Sequence, residues 1–374
     1  MAPVGVALRA MLAAAGIGGA SGGYGYYASI TVDHSLVPAN QTDFPVLVKG
    51  TYDGAGGEPD IRTVANGGHV ENTASGGVSG SLSVPADLVF SPNADGSEPY
   101  DFEIQYYDPA SGEIVAWVEI PTLSSSVDTT FYIVYGDADV ALSQEDVNGT
   151  WNANYMAVWH LVEEADGTAD EYKDSSGNGN HAYGAPAAVP SRIAGQIGYA
   201  QYFDGTGESI IIPHSATMDD GTNGPFGVEM WCYPESIANY GGLLRKDGPN
   251  GAYRYYLVDY NAAGQVLFGA IYSGVGNRWS LPHAFDAWYH VTYRQTGGFI
   301  YIRVNGVAEG SGTYVPADST LDAYVGTYTG GFNYKGVLDE LRISNINRGY
   351  QYEQTCHNNA SSPATFYAMG SEQS

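Results

Sequence analysis

The sequence predicts an all-β protein made of two sandwich domains. A chain of 374 residues is long enough for two domains, each with its own core. Hydrophobic residues make up 44% of the chain and aromatic residues 13%, which excludes a disordered protein. Fifty glycines separate short apolar runs, a pattern typical of strands joined by tight turns.

The acidic net charge of the chain excludes some classes of binding partner. There are 41 acidic and 14 basic residues, a net charge of −27. Nucleic-acid binding needs a basic surface to neutralise phosphates, so we expect no nucleic-acid partner. The same charge repels anionic membranes and is compatible with divalent cations.

Residues 1–25 form an N-terminal arm. Its apolar part carries one charged side chain, Arg9, and lacks the basic start of a signal peptide. Glycines interrupt the apolar run, which is also too short for membrane insertion. We expect a short helix over about Val4 to Ala15 that docks on a neighbouring subunit or scaffold, or packs on its own domain.

Residues 26–140 read as the small N-terminal β-sandwich. Short alternating runs predict strands at Ser29–Asp33, Phe44–Val48, Tyr100–Tyr107, Ile114–Ile120 and Thr129–Tyr135. Residues 141–154 are a polar linker.

Residues 155–347 form the second domain, and 348–374 a closing segment with a helix and a last strand. Asn305-Gly306 after Tyr301–Val304 predicts a hairpin with a type I′ turn. Alternation places Cys232 on the face of Val228 and Met230, which favours a buried free thiol. A disulfide bond between Cys232 and Cys356 is the alternative.

Several blocks of the second domain occur together in one order: Tyr155–Leu161, Ala194–Gly205, Trp288–Tyr293, Tyr301–Gly306 and Gly336–Ile343. In this order they resemble the laminin-G-like (LamG), concanavalin A-like jelly roll, over roughly Trp151 to Asn347. The resemblance implies a two-sheet sandwich, often with a structural calcium ion.

The turn Asp174–His181 is rich in side-chain oxygens. Gly177 and Gly179 permit positive φ, and Asp174, Asn178 and Asn180 offer oxygen ligands for Ca²⁺. The alternative is a turn held by Asx hydrogen bonds without an ion. The resemblance to the jelly roll adds Asp339 to the candidate metal ligands.

The N-terminal half carries a second resemblance, in the blocks Ile30–His34, Thr42–Val48, Thr63–Gly68, Ala116–Pro121 and Phe131–Gly136. These look like a domain of unknown function that precedes LamG-like domains in prokaryotic surface proteins and bacteriophage structural proteins. The phage versions often begin with a short apolar arm, as this chain does.

No catalytic pattern is present in the sequence. A retaining glycosidase on a sandwich needs two carboxylates about 5 Å apart, for which E-x-D-x-x-E would be the pattern. The adjacent acidic pairs are interpreted mostly as solvated surface: Glu163–Glu164, Asp219–Asp220 and Asp339–Glu340. His160 and His290 lie in apolar strands and are expected to be structural, so we expect no enzyme.

With no catalytic pattern in the sequence, glycan binding is the function that we consider next. Sugar rings stack on aromatic faces while charged groups bind the hydroxyls. The candidate residues lie in one Gly-rich and Asn-rich region: Tyr240, Arg245, Tyr253, Tyr255 and Trp279. The alternative is that these tyrosines are core or subunit contacts.

We therefore hypothesise a non-enzymatic structural protein of a tailed bacteriophage virion, in a tail fibre or as capsid decoration. The arm and N-terminal domain would bind other virion proteins, and the LamG-like domain would bind host-surface glycan. A homo-oligomer would follow, and we hypothesise a trimer. The alternative is a secreted or cell-surface carbohydrate-binding protein. A glycosidase would need two carboxylates within about 10 Å in one cleft.

Overall fold

The computed structural model describes residues 23–186, 188–218, 224–235, 240–247, 253–270, 278–313, 319–327 and 332–374. The side chains of residues 253–256 and 260 are also outside this description. The predicted arm helix lies outside the described residues.

The chain divides into two compact units. The first comprises the residues up to Asn152 together with Asn358 onward, and the second comprises Ala153–His357. The sequence of the second unit is therefore inserted between two parts of the first. Both units are antiparallel β-sandwiches, so the predicted fold class is confirmed.

The first unit contains these strands, in chain order: β1 (Tyr26–Val32), β2 (Gln41–Thr51), β3 (Thr73–Gly76), β4 (Leu82–Pro85), β5 (Leu88–Ser91), β6 (Phe102–Asp108), β7 (Glu113–Leu123) and β8 (Thr129–Tyr135). Short helix α1 (Val147–Thr150) follows. Every strand predicted in this half overlaps an observed strand, whereas β3, β4 and β5 were not predicted.

The second unit contains these strands: β9 (Tyr155–Trp159), β10 (Tyr183–Gly184), β11 (Ser191–Ala194), β12 (Tyr199–Asp204), β13 (Ile210–Ile212), β14 (Phe226–Pro234), β15 (Tyr240–Asp247), β16 (Tyr253–Ala262), β17 (Gln265–Ala270), β18 (Arg278–Trp279), β19 (Tyr289–Thr296), β20 (Phe299–Val304), β21 (Val307–Thr313), β22 (Ala323–Val325) and β23 (Lys335–Ser344). Helix α2 (Tyr350–Ser361), helix α3 (Pro363–Phe366) and strand β24 (Tyr367–Met369) close the chain. Within the described residues, no helix is long and apolar enough to cross a bilayer.

The first unit packs two sheets face to face. One has the strand order β24-β1-β8-β5 and the other β2-β7-β6. The Phe90 and Phe102 rings meet edge to face between these sheets, with centroids 5.3 Å apart. Both rings are fully buried, so they belong to the core of this sandwich.

The second unit packs a seven-stranded sheet, β10-β13-β22-β15-β16-β17-β18, on a sheet ordered β11-β12-β23-β14-β19-β20-β21, in which β9 also pairs with β23. Val228, Met230 and Cys232 all face the core between them, as alternation predicts. Cys232 and Cys356 are both buried free thiols. The Asn305-Gly306 turn has φ of 50° and 74°, which fits the predicted type I′ hairpin.

Candidate functional site

Two of the predicted glycan-binding residues come together in the second unit. The Tyr240 and Trp279 rings stack with centroids 6.1 Å apart and planes 28° apart. Phe332 meets Tyr240 edge to face at 5.7 Å. All three side chains are half-buried. We call Tyr240, Trp279 and Phe332 the aromatic patch.

The strand register places this patch on the outer face of the seven-stranded sheet. Gly242, Val258, Gly269 and Trp279 lie directly opposite one another on four neighbouring strands and so share one face. The adjacent row contains Phe268, which faces the core. The row that ends in Trp279 therefore points away from the core.

Glycine makes room for the indole of this patch. A Cβ atom at Gly269 would overlap the Trp279 ring, so the indole lies directly against the bare backbone. A half-buried aromatic surface over glycine backbone suits stacking with the apolar face of a sugar ring.

The other three predicted glycan-binding residues are not part of the aromatic patch. Arg245 is 6% exposed, and its Nε donates a 2.6 Å hydrogen bond to Asp247 Oδ1. Its guanidinium also pairs with Asp247 Oδ2. Tyr253 and Tyr255 belong to β16, and their side chains lie outside the described residues. Phe332 was missed because its Gly-rich neighbourhood has no periodicity that would place it on the sheet face.

The turn that starts at Asp174 is held by hydrogen bonds. Asp174 Oδ1 accepts hydrogen bonds from the amides of Val158 and Ser176, and Oδ2 accepts one from Asn180, each 2.9 Å long. Gly177 and Gly179 have φ of 80° and 73°, so their predicted positive φ is confirmed. The carboxylate of Asp174 thus accepts the hydrogen bonds of three backbone amides.

The two asparagines of the turn direct nitrogen atoms at the preceding strand. Asn180 Nδ2 donates to the Met156 carbonyl at 2.7 Å, and Asn178 Nδ2 donates to the same oxygen at 3.1 Å. Asn180 Oδ1 accepts a 2.7 Å hydrogen bond from the Thr217 hydroxyl. Calcium requires oxygen ligands directed at one point, and this arrangement does not fit that requirement.

Asp339 is bound elsewhere in the second unit. Its Oδ2 accepts a 2.9 Å hydrogen bond from the Ile197 amide, and a Cβ at Gly195 would overlap the same carboxylate. This hydrogen bond ties the loop before β12 to strand β23. The four-ligand calcium site stays a prediction.

A buried polar network joins His160, the residue that follows strand β9, to strand β23. His160 Nδ1 is 2.8 Å from Glu340 Oε1, and Arg342 donates a 2.6 Å hydrogen bond to Glu340 Oε2. Asp339 and Glu340 are 0% and 2% exposed, so the interpretation of this pair as solvated surface is wrong. Among the other acidic pairs, Glu164 pairs with Arg192 at the surface.

His160 and His290 are both buried, as predicted for structural histidines. Burial lowers the pKa of His290 well below its usual value, so the ring is neutral. The interpretation of Asp219–Asp220 as surface lies outside the described residues.

Among the described residues, Asp33, His34 and Asp128 place possible metal-ligand atoms within 4.8 Å of one another. Hydrogen bonds account for this cluster. Asp128 Oδ1 lies 2.6 Å from His34 Nδ1 and accepts from the His34 amide, while Asp33 caps the following turn through the Ser35 amide.

Solved structures with a similar fold resemble this chain only distantly. One is domain 4 of AbnA, a GH43 extracellular arabinanase from Geobacillus stearothermophilus, in complex with arabinotriose. It is 18% identical to this chain, with a TM-score of 0.44. The match covers 55% of this chain and 98% of that domain. The binding domain of Paraclostridial Mosquitocidal Protein 1 is 12% identical (57% and 52% covered, TM-score 0.41). Trypanosoma rangeli sialidase is 14% identical (68% and 43% covered, TM-score 0.44).

This chain thus spans about half or less of the last two proteins. Comparison with curated protein sequences finds no match. A family model does match within the second unit. Residues 204–349 match Laminin_G_3, described as the concanavalin A-like lectin/glucanases superfamily, which confirms the predicted jelly-roll resemblance for this part of the chain.

Proposed function

We propose that this protein is a non-enzymatic glycan-binding protein that uses the outer face of the seven-stranded sheet. The observation that carries the proposal is the half-exposed stack of Tyr240 on Trp279 over the backbone of Gly269. Its position on a lectin-like sandwich supports the same function. Because Asp339 and Glu340 are buried, this acidic pair cannot reach a substrate.

The test is affinity electrophoresis of the protein through gels that contain polysaccharides. Trp279→Ala removes the stacking surface, and Gly269→Ala displaces the indole without removing it. We expect each to weaken retention about tenfold, since an aromatic contact contributes up to about 1.4 kcal/mol. Phe299→Ala is the control, because Phe299 is 45% exposed on β20 of the other sheet. Unchanged retention of both variants would contradict the proposal.

The biological setting that we propose is the virion of a tailed bacteriophage, with the N-terminal arm and first unit bound to other virion proteins and the chain assembled as a homotrimer. The resemblance of the N-terminal half to a domain found before LamG-like domains in phage structural proteins supports this setting. In a density gradient of phage particles, we expect the full-length chain to sediment with the particles.

The second candidate is a secreted or cell-surface carbohydrate-binding protein, since the domain that the N-terminal half resembles also occurs in prokaryotic surface proteins. Recovery of the chain free or on cells, and shortened to begin near Gly23, would favour this candidate over the virion. Glycan binding by the aromatic patch is common to both settings.

A further inference from the structure

A second group of side chains lies on the outer face of the seven-stranded sheet. Directly opposite one another on β10, β13, β22 and β15 are Tyr183, Ile211, Tyr324 and Arg245. We call these four residues the tyrosine row. The adjacent row contains Ile210, Val325 and Leu244, which belong to the core. The tyrosine row therefore faces away from the core.

The two tyrosines of this row present both an apolar ring and a hydroxyl donor. Tyr183 and Tyr324 are half-buried, so part of each ring remains in contact with solvent. Burial, followed by the nearby charge of Asp322, raises the pKa of the Tyr324 phenol. The phenol therefore keeps its proton, and its O–H group can donate a hydrogen bond.

Two carboxylates accompany the row, and both are held in place. Arg245 binds Asp247 through a 2.6 Å hydrogen bond from Nε, and the Ser319 hydroxyl binds the Asp247 carbonyl. Asp322 Oδ1 accepts a 2.8 Å hydrogen bond from the His214 amide. The side chains of Asp247 and Asp322 are both partly exposed, so their oxygens can also accept hydrogen bonds from a ligand.

The charge of this group selects a class of ligand. One guanidinium and two carboxylates leave a net negative charge, and Arg245 is already paired with Asp247. A sulfated or uronic-acid chain would be repelled, both here and by the net charge of −27. The hydroxyls of an uncharged sugar would instead find carboxylate acceptors beside an aromatic surface.

We propose that the tyrosine row is a second glycan subsite, which stacks an uncharged sugar ring on Tyr183 and Tyr324 and binds its hydroxyls through Asp247 and Asp322. The subsite rests on the proposed function, because it extends glycan binding along the same sheet face. It is separable from the aromatic patch, since the two groups share no residue.

The experiment measures retention of the full-length protein in gels that contain neutral polysaccharides (arabinan, mannan or β-glucan) or anionic ones (polygalacturonate or dextran sulfate). Tyr324→Ala removes one ring of the row, and Trp279→Ala tests the aromatic patch separately. Tyr350→Ala is the matched control, because Tyr350 is 51% exposed on helix α2.

With a neutral polysaccharide that retains the wild type, we expect Tyr324→Ala to weaken binding about tenfold and Tyr350→Ala to change it less than about twofold. Tyr324→Phe keeps the ring and should stay closer to wild type than Tyr324→Ala. If the alanine variant does not fold, Asp322→Asn replaces it, with weaker retention expected.

Three outcomes overturn the proposal in different ways. If Trp279→Ala weakens retention while folded Tyr324→Ala and Asp322→Asn do not, the row is not a subsite but the proposed function stands. If anionic polysaccharides retain the wild type as strongly as neutral ones, the ligand class is wrong. If no polysaccharide in the panel retains the wild type, the subsite and the proposed function both fail.

Discussion

His160 and Glu340 form a buried pair, with Nδ1 of the imidazole 2.8 Å from Oε1 of the carboxylate. Only 1% of His160 and 2% of Glu340 is exposed. Arg342 binds the second carboxylate oxygen, so one glutamate on β23 binds both the imidazole that follows β9 and the guanidinium of Arg342. Glu340 also has φ of 53°, a conformation that a residue other than glycine adopts at a cost.

Replacement of Glu340 by Gln should destabilise the second unit strongly. The variant keeps the shape of the side chain and the backbone strain, but it leaves the Arg342 guanidinium with less compensating charge in a buried site. Removing one partner of a buried ion pair costs about 3–5 kcal/mol. Urea unfolding measures the loss. Glu164→Gln is the control, since the Glu164 side chain is 80% exposed and its pair with Arg192 should contribute little.

A stability loss below about 1 kcal/mol for Glu340→Gln would show that the pair contributes little. The pH dependence gives a second check. Burial alone would raise the pKa of Glu340, but His160 and Arg342 hold it below its ordinary value. A lowered pKa stabilises the protein above the unfolded pKa, and that stability is lost as pH falls through the folded pKa. The wild type should therefore lose this contribution only in acid.

Asp259 should give the opposite pH dependence. This residue is fully buried on the core face of β16, and burial raises its pKa to about 8. A raised pKa stabilises the protonated folded state at low pH, and this contribution is lost as pH rises from the unfolded value of 3.8 towards 8. We expect a loss of up to about 1.4 kcal/mol per pH unit in that window.

The matched variant for this prediction is Asp259→Asn, which has nearly the same shape and does not ionise. Unfolding free energies measured between pH 5 and pH 9 should fall less steeply for the variant than for the wild type. Parallel pH profiles for the two proteins would rule out ionisation of Asp259 as the cause.

The Tyr367 hydroxyl should stabilise the first unit. It donates a 3.0 Å hydrogen bond to the Lys49 carbonyl, and it accepts one of 3.0 Å from the Lys49 amide. Tyr367→Phe removes both of these part-buried hydrogen bonds, which should cost about 1–3 kcal/mol. Thermal or urea unfolding measures this, with Tyr350→Phe as the exposed control. Equal stability of the two variants would show that the Tyr367 hydroxyl does not stabilise the first unit.

Local patterns were enough to predict much of the fold. Alternation placed Val228, Met230 and Cys232 on the core face, because side chains alternate across a strand. The Asn305-Gly306 hairpin follows from turn chemistry alone, since few residues tolerate positive φ at two successive positions. These signals involve only residues that are close in sequence.

Contacts distant in sequence were not predictable from such patterns. Tyr367 and Lys49 are 318 residues apart, and no local pattern indicates that the last strand pairs with β1. Glu340 looked like a surface charge because the residue that pairs with it, His160, is 180 residues away. The stack of Tyr240 and Trp279 was predicted only as a shared neighbourhood, because strand register decides which aromatic rings meet.

Substitution of Asp174 distinguishes a turn held by hydrogen bonds alone from a turn that binds calcium. Since its carboxylate accepts three backbone hydrogen bonds, Asp174→Asn should lower stability by about 2 kcal/mol through the loss of one acceptor oxygen. This account predicts the same loss in EDTA and in millimolar calcium, measured by thermal unfolding. If Asp174 is instead a calcium ligand, calcium should raise the melting temperature of the wild type and not that of the variant. Asn178→Ala gives an independent check, because losing its hydrogen bond to the Met156 carbonyl should lower stability equally in EDTA and in calcium unless Asn178 also binds the ion.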